Sequence, residues 1–293
     1  MAVAPVLKFG GVTLQGERRF GPDEERLMEE ISRCETVNEI YRLLAERRNK
    51  ARAQRLREVA TKYILPLREK GLVPVVVVSA FDWATDKLDN LAASIAPKRH
   101  RREYARLLMS GELRANAALA MTLEELGVPA RSMTGREAGI ATCGGPVEAL
   151  IETVHIKHVE ELLAKGIVPV VAGFQGYYRD PDTGRDEVSI LGRGGSNLTA
   201  VALAAALKQP ECTMLSDVDG VYSKDPRRHR DAVKYDEVTA DSLFGMDPFP
   251  QVIQREAVQY AVQQAVDIWI RSGTDPKAAG TKIICRPRAD ADE

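Results

Sequence analysis

Hydrophobic and polar positions follow two rhythms along this chain. Nearly unbroken apolar runs at 3–9, 73–79 and 167–172 predict strands buried on both faces of a parallel sheet, because a strand with one wet face would alternate. The first run ends at Gly10-Gly11, and the second is almost entirely valine. Met214-Leu215, running toward a turn at Asp219-Gly220, and the stretch 266–271 read as later strands. Between these runs the period changes to that of a helix. Residues 115–126 are rich in Ala, Leu and Met with an amphipathic repeat, and Thr36 with Glu39 has capping-box spacing ahead of Ile40, Leu43 and Leu44. Strands alternating with helices predict an α/β sandwich around a mostly parallel sheet.

Two segments sit outside that alternation. Residues 22–70 are helical in pattern and highly charged, as in Glu46-Arg47-Arg48-Asn49-Lys50, and are long for one crossover, so a helical hairpin insertion is expected, as a lid or a subunit contact. Residues 177–188, containing Asp180-Pro181-Asp182-Thr183-Gly184, predict a β-hairpin hanging off the strand that ends near Gly173. Lys98-Arg99-His100-Arg101-Arg102 is read as a solvated helix start and the acidic end 289–293 as frayed. No internal repeat, low-complexity linker or second domain is visible in residues 1–293.

Composition narrows the class. With 293 residues, 41 Lys+Arg against 42 Asp+Glu and 44% hydrophobic content, the chain can bury a large core and has no charge bias toward nucleic acid. No apolar run reaches the ~18–20 residues of a membrane span, and residues 1–9 are too short for a signal peptide, so a cytoplasmic protein is expected. Cys34, Cys143, Cys212 and Cys285 lie far apart and read as ordinary thiols; His155 and His158 read as a solvated helix face, and no dedicated metal-ligand set is expected.

Candidate chemistry collects at strand ends. In Ser189-Ile190-Leu191-Gly192-Arg193-Gly194-Gly195-Ser196-Asn197-Leu198-Thr199-Ala200, a glycine-rich turn enters an apolar helix. Glycines let backbone N–H groups approach an anion, the helix start adds positive potential, and Arg193 offers a planar fork to a carboxylate or phosphate. Lys8-Phe9-Gly10-Gly11 places an ammonium beside a turn with no side chains to obstruct phosphate oxygens, or is a plain turn. Ser216-Asp217-Val218-Asp219-Gly220-Val221-Tyr222 puts two carboxylates in a post-strand loop suited to a ribose or a metal-bound phosphate, or is a solvated Asp-Gly turn. The chain has neither G-x-x-x-x-G-K-[ST] nor G-x-G-x-x-G, so neither a P-loop nor a Rossmann site is expected.

Taken in order, Lys8-Phe9-Gly10-Gly11, Ser79-Ala80 with Thr85-Asp86-Lys87-Leu88, Gly111-Glu112, Val168-Pro169-Val170-Val171-Ala172-Gly173-Phe174-Gln175-Gly176, Leu191-Gly192-Arg193-Gly194-Gly195-Ser196, and Asp217-Val218-Asp219-Gly220-Val221-Tyr222 with Asp225-Pro226-Arg227 resemble the aspartate kinases of the amino-acid kinase superfamily. The resemblance spans nearly the whole chain. It implies a three-layer αβα sandwich, ATP with Mg2+, and transfer of the γ-phosphoryl group to a side-chain carboxylate. It also implies roles. Lys8 would be catalytic, neutralising the transferring phosphoryl group, with Asn197 in the place of the residue that organises it. Arg193 would pair with the accepting carboxylate, Ser79 and Thr85 would hold the α-carboxylate, Glu112 the α-ammonium, and Ser196 would line the same pocket. Gly10, Gly11, Ser216, Asp217, Tyr222, Arg227 and Gln251 fall where the family grips the nucleotide.

The departures carry information too. Asn197 stands where the family has Asp, keeping shape and losing charge, and Gln251 where it has a lysine that meets the ATP phosphates; Lys224 is a candidate to compensate. Val12-Thr13 replaces Thr-Ser, Ala115 replaces a serine, and Phe81-Asp82-Trp83 is bulkier than the family's small residues. Three functions stay open: an aspartate kinase-like enzyme, a kinase of the same fold for another carboxylate, and a silent binding or partner subunit. Family members continue past Gly280-Thr281-Lys282-Ile283 into ACT regulatory domains, so a single kinase domain over 1–293 without ACT-mediated feedback is expected. A homodimer is expected as well.

Overall fold

The computed structural model describes residues 4–15, 24–81, 84–96, 101–192, 194–226 and 228–286. The chain begins with β1 (Val6–Phe9), α1 (Gly11–Gln15), α2 (Glu24–Ser32) and α3 (Val37–Val59), which passes through a π-helical turn (Ala60–Ile64) into α4 (Leu65–Glu69). Next come β2 (Val75–Val78), α5 (Ala84–Ile95), α6 (Arg101–Glu125), β3 (Ala130–Met133), β4 (Ile140–Cys143), β5 (Leu150–Val154) and α7 (Lys157–Ala164). The remainder is β6 (Val168–Ala172), β7 (Gln175–Arg179), β8 (Asp186–Ile190), α8 (Gly195–Ala206), β9 (Glu211–Ser216), β10 (Glu237–Thr239), α9 (Ala240–Phe244), α10 (Arg255–Gln264), β11 (Asp267–Ser272) and β12 (Thr281–Ile284).

Eight strands form the main sheet in the order β10-β12-β11-β9-β1-β2-β6-β3. Its neighbouring pairs are parallel apart from the antiparallel pair β11–β12. The valine run of β2 is fully buried, as a strand covered on both faces requires. Side-chain alternation divides the core in two. Val6, Val75, Val77 and Met214 pack against α7, α8 and α10 on one face. Leu7, Phe9, Val76, Val78 and Leu215 pack with Leu56, Val59, Ile64, Leu119 and Leu123 of α3, the π-helical turn and α6 on the other. The result is the three-layer sandwich, with β1 at its centre.

The charged segment after β1 is a helical hairpin. Thr36 caps α3 by accepting from the Glu39 amide at 3.3 Å, while the Glu39 carboxylate reaches back to the Glu35 amide at 2.8 Å. Arg47 of α3 pairs with Glu30 of α2 at 3.0 Å. The hairpin expected at 177–188 is there as β7–β8, closed by the Asp180 carboxylate accepting from the amides of Asp182 and Thr183. It does not hang free. β4 and β5 join it in a four-stranded sheet of order β5-β4-β7-β8, so the fold carries a second sheet that its short, mixed-polarity strands did not announce. No helix among the described residues is long and apolar enough to cross a membrane.

Leu119 lies wholly buried between α6 and the sheet. Leu119→Ala is expected to cost about 2–5 kcal/mol, the usual range for a large-to-small change that leaves a cavity, read as a lower urea midpoint with an unchanged slope.

Candidate active site at the carboxyl rim of the main sheet

Parallel strands end on the same side, and here hydrogen bonds join those ends. The Gly10 amide donates to the Leu215 carbonyl at 3.2 Å, the Ser79 amide to Phe9 at 3.2 Å, and the Gly173 amide to Val78 at 2.9 Å. The carboxyl ends of β9, β1, β2 and β6 therefore form one continuous rim, the place where open α/β sheets bind ligands. Lys8, Gly10 and Gly11 stand at the end of β1, Ser79 at the end of β2, and Ser216 and Asp217 at the end of β9. Helices are pressed onto this rim at two glycines. A Cβ on Gly173 would lie 2.8 Å from the Ser196 side chain, and one on Gly111 would lie 2.9 Å from the Ala80 Cβ. Small residues thus bring the start of α8 and the middle of α6, with Glu112, against the ends of β6 and β2. Thr85 lies in the first turn of α5 and is half-buried, like Ser79.

Two ionisable side chains at the rim are strongly perturbed. Lys8 shares its face of β1 with Val6, and its ammonium curls toward Gly10, where a Cβ would sit 3.5 Å away. Burial pushes its pKa down to about 8, while the Asp217 carboxylate pulls it upward. Glu112 is 3% exposed, accepts from the Ala80 amide at 3.2 Å, and has no partner for Oε2. Burial pushes its carboxyl up to about 7, against the pull of the backbone N–H bonds.

The turn before α8 is built for close approach. Gly194 caps the helix at φ 78°, and a Cβ there would lie 2.4 Å from the Gln254 side chain, so glycine is required on both counts. Gln254, at the N-cap of α10, directs its side chain away from its own helix and accepts from Asn197 Nδ2 at 2.5 Å. Asn197 is 5% exposed and its Oδ1 has no partner. Ser196 is buried beside it. The loop after β9 is held by its own charges: Tyr222 donates to Asp219 at 2.8 Å, and Lys234 reaches the other Asp219 oxygen at 3.2 Å. Lys224, offered with other basic residues as a replacement for the cation missing at Gln251, pairs here with Asp231 at 2.8 Å on the surface. Gln251 itself is exposed.

The rim thus gathers Lys8, Gly10, Gly11, Ser79, Glu112, Ser196, Asn197, Ser216 and Asp217, with Thr85 and Tyr222 on adjoining elements. Arg193 and Arg227 lie outside the described residues, as do Asp82, Trp83, 98–100 and 289–293. Chemically, a half-buried cation, a helix N-terminus and an Asp-bearing loop can hold a polyanion, while Glu112 Oε2 and Asn197 Oδ1 are buried acceptors without a partner. Gln254 was missed from the sequence. Its partner is 57 residues away, and the pairing arises from α8 packing on α10, which leaves no local pattern.

A ligand site at the strand ends of a largely parallel sheet, between two helical layers and without a P-loop, places the chain among the open α/β folds. The family description for amino acid kinases matches residues 5–286, and the chain belongs to that family. The aspartokinase of Mycobacterium tuberculosis is 40% identical over 235 residues, covering 80% of this chain and 54% of that protein. The aspartokinase of Helicobacter pylori is 37% identical over 232 residues, covering 79% of this chain and 56% of that one. The chain thus spans about half the length of the curated relatives it matches. Aspartate kinase from Synechocystis superposes with a TM-score of 0.71 at 31% identity, over 97% of this chain and 40% of that chain.

The Glu112 carboxyl supplies a test of the site's electrostatics. Its folded pKa of about 7 lies above the ordinary 4.5, so ionising it weakens the fold. That penalty is complete above pH 7 and is relieved as pH falls from 7 toward 4.5. Glu112→Gln removes it and is expected to stabilise the protein more at pH 8 than at pH 5, by a difference of roughly 2–3 kcal/mol. Urea midpoints at the two pH values measure it, and equal changes at both would refute the buried-carboxyl assignment.

Proposed function

We propose that this protein transfers the γ-phosphoryl group of ATP to the side-chain carboxylate of L-aspartate or a close analogue, giving an acyl phosphate and ADP. The observation carrying this reading is the convergence of the Lys8 ammonium with the Gly10-Gly11 turn and the Asp217 loop, opposite the start of α8 and Glu112. The aspartokinase relatives named above support the choice of acceptor.

In this reading the carboxylate oxygen forms a bond to the γ-phosphorus as the bridging bond to the β-phosphate breaks. The protein has little covalent chemistry to perform, so positioning and charge neutralisation dominate. Lys8 stabilises the phosphoryl oxygens, its low pKa raised again by a bound polyanion. Gly10 and Gly11 leave their backbone open to phosphate, and Ser216, Asp217, Tyr222, Arg227 and Gln251 contact the nucleotide. Arg193, Ser79, Thr85 and Ser196 hold the acceptor's carboxylates, and Glu112 takes its ammonium. Mg2+ fits this donor set as an ion held mainly by the phosphates and water, since such sites need only one or two carboxylates and Asp217 is exposed on the rim. When bound it supplies charge neutralisation to the phosphates.

Asn197 favours a second acceptor. An amide oxygen without a partner accepts from a neutral or cationic donor alike, so an analogue with a changed α-substituent is accommodated as well. Hydroxylamine trapping separates the readings. Wild-type protein with Mg-ATP and L-aspartate is expected to accumulate aspartyl hydroxamate, and Lys8→Met to lose about 10²–10³-fold in kcat, as for removal of an oxyanion-stabilising donor. Hydroxamate from another carboxylate alone selects the second reading, and none from a substrate panel selects a silent subunit.

A cytoplasmic homodimer completes the proposal. Met28, Val37 and Tyr41 of the α2–α3 hairpin are exposed and give it apolar surface for self-contact. Sedimentation at micromolar concentration is expected to show twice the 32.2 kDa chain mass, and a monomer there would reject this part.

A further inference from the structure

The second half of α3 reaches the site. Arg55 is 6% exposed; its Nε donates to the Thr13 carbonyl at 2.6 Å, its Nη2 donates to the Gly273 carbonyl, and its Nη1 pairs with Glu58 at 2.8 Å. Thr13 lies in α1, directly after Gly10-Gly11, and its hydroxyl donates to the Leu215 carbonyl at 3.2 Å. Gly273 follows β11, and its amide donates to the Ser216 carbonyl at 2.6 Å. The two loops touch closely, since a Cβ on Gly273 would lie 2.3 Å from the Thr13 methyl. Nearby, Tyr63 donates to the Ser272 carbonyl at 2.8 Å, and the Arg52 guanidinium stands 5.5 Å over the Phe81 ring beside Ser79.

Seating α3 on the sheet does not require a buried cation, because Leu56, Val59, Ala60 and Ile64 already bury its apolar side. The carbonyls that Arg55 binds belong to the segment following Lys8 and to the segment bonded to Ser216. A planar guanidinium donates to both at a fixed angle; a lysine ammonium on a flexible stem cannot reproduce that fork. Without it, two buried carbonyls lose their donor and the two loops lose the group that fixes their separation.

We propose that Arg55 is a positioning residue for the nucleotide half of the site: its guanidinium sets the distance between the β1–α1 turn and the loop after β11, which is bonded to Ser216 at the end of β9, and through them the placement of Lys8 and Asp217. This rests on the reading of the rim as a nucleotide site. Displacement of catalytic groups by about 1 Å can cost 10²-fold in rate, so the effect belongs in nucleotide affinity and turnover, with acceptor binding spared.

The test compares wild type, Arg55→Lys, Arg55→Met and the control Arg57→Met, an exposed position on the same helix. Mg-ATP affinity by calorimetry, kcat, both KM values and urea midpoints are measured on the full chain. For Arg55→Lys, Mg-ATP affinity is expected to fall at least tenfold, with reduced kcat and an aspartate KM within twofold, in protein whose near-ultraviolet circular dichroism is native. Arg57→Met is expected to leave all kinetic constants within twofold. A lower urea midpoint with unchanged affinity and turnover per folded molecule would overturn the proposal, as would failure of both Arg55 variants to fold, since each describes a purely structural strut. Wild type that binds Mg-ATP yet makes no acyl phosphate overturns the proposed function and leaves the Arg55 comparison standing on affinity. Wild type that binds no Mg-ATP overturns both.

Discussion

The ammonium of Lys8 has to stay charged where burial works against charge, and the arrangement of the rim follows from that demand. Its pKa of about 8 keeps it mostly protonated at neutral pH, with Asp217 as the counter-charge that holds it there. An isolated cation in such a place would neutralise instead. The lysine occupies the central strand, two residues before Gly10, so its surroundings are fixed by β2 and β9 on either side. A charge held at some cost in the free protein interacts strongly with an incoming polyanion, because little solvent remains to screen it.

Glycine is what lets the helices approach that rim. Gly173 under Ser196, Gly111 under Ala80 and Gly194 under Gln254 are positions where a methyl group would meet another atom at under 3 Å. Each brings a functional candidate to the edge: Ser196 and Asn197 through α8, Glu112 through α6. The hydrophobic layers supply rigidity, since α8 lies against one face of the sheet and α6 against the other, and the site sits where the two layers meet the open strand ends.

Five adjacent strands of the main sheet, β11, β9, β1, β2 and β6, were legible in the sequence because they are largely buried and read as apolar runs, whereas the shorter outer strands β10, β12 and β3 were not read. β6 and β11 start one residue later than the pattern suggested and β2 begins at Val75, differences of the size that end fraying produces. The second sheet was not legible as a sheet. β5 is largely exposed and β4 is four residues of mixed polarity, so neither periodicity nor length separates them from loops. At the rim, motifs pointed to Lys8, Glu112, Ser196 and Ser216 as candidates, because each lies on a short contiguous segment. Arg55 and Gln254 escaped because each acts through a carbonyl or amide brought near by packing between distant elements, and an arginine in a helix rich in charge looks like any solvated one.

Charge accounting at the rim explains why an asparagine is tolerable at 197. With Glu112 pushed up to about 7, that carboxyl is close to half-ionised at neutral pH before any ligand arrives. A second buried carboxylate on the same rim would raise the cost of ionising either one, because like charges with little solvent between them repel. The amide of Asn197 removes that repulsion, and Gln254 fixes its orientation by accepting from Nδ2, which leaves Oδ1 as the free acceptor. The orphaned Glu112 and Asn197 oxygens are then two acceptors of unequal charge, and an entering ammonium would draw Glu112 fully into its ionised form by pairing with it. In the proposed reading Glu112 contributes charge to the pocket and Asn197 shape, so the neutral residue costs the site an electrostatic contact without leaving a buried charge unpaired.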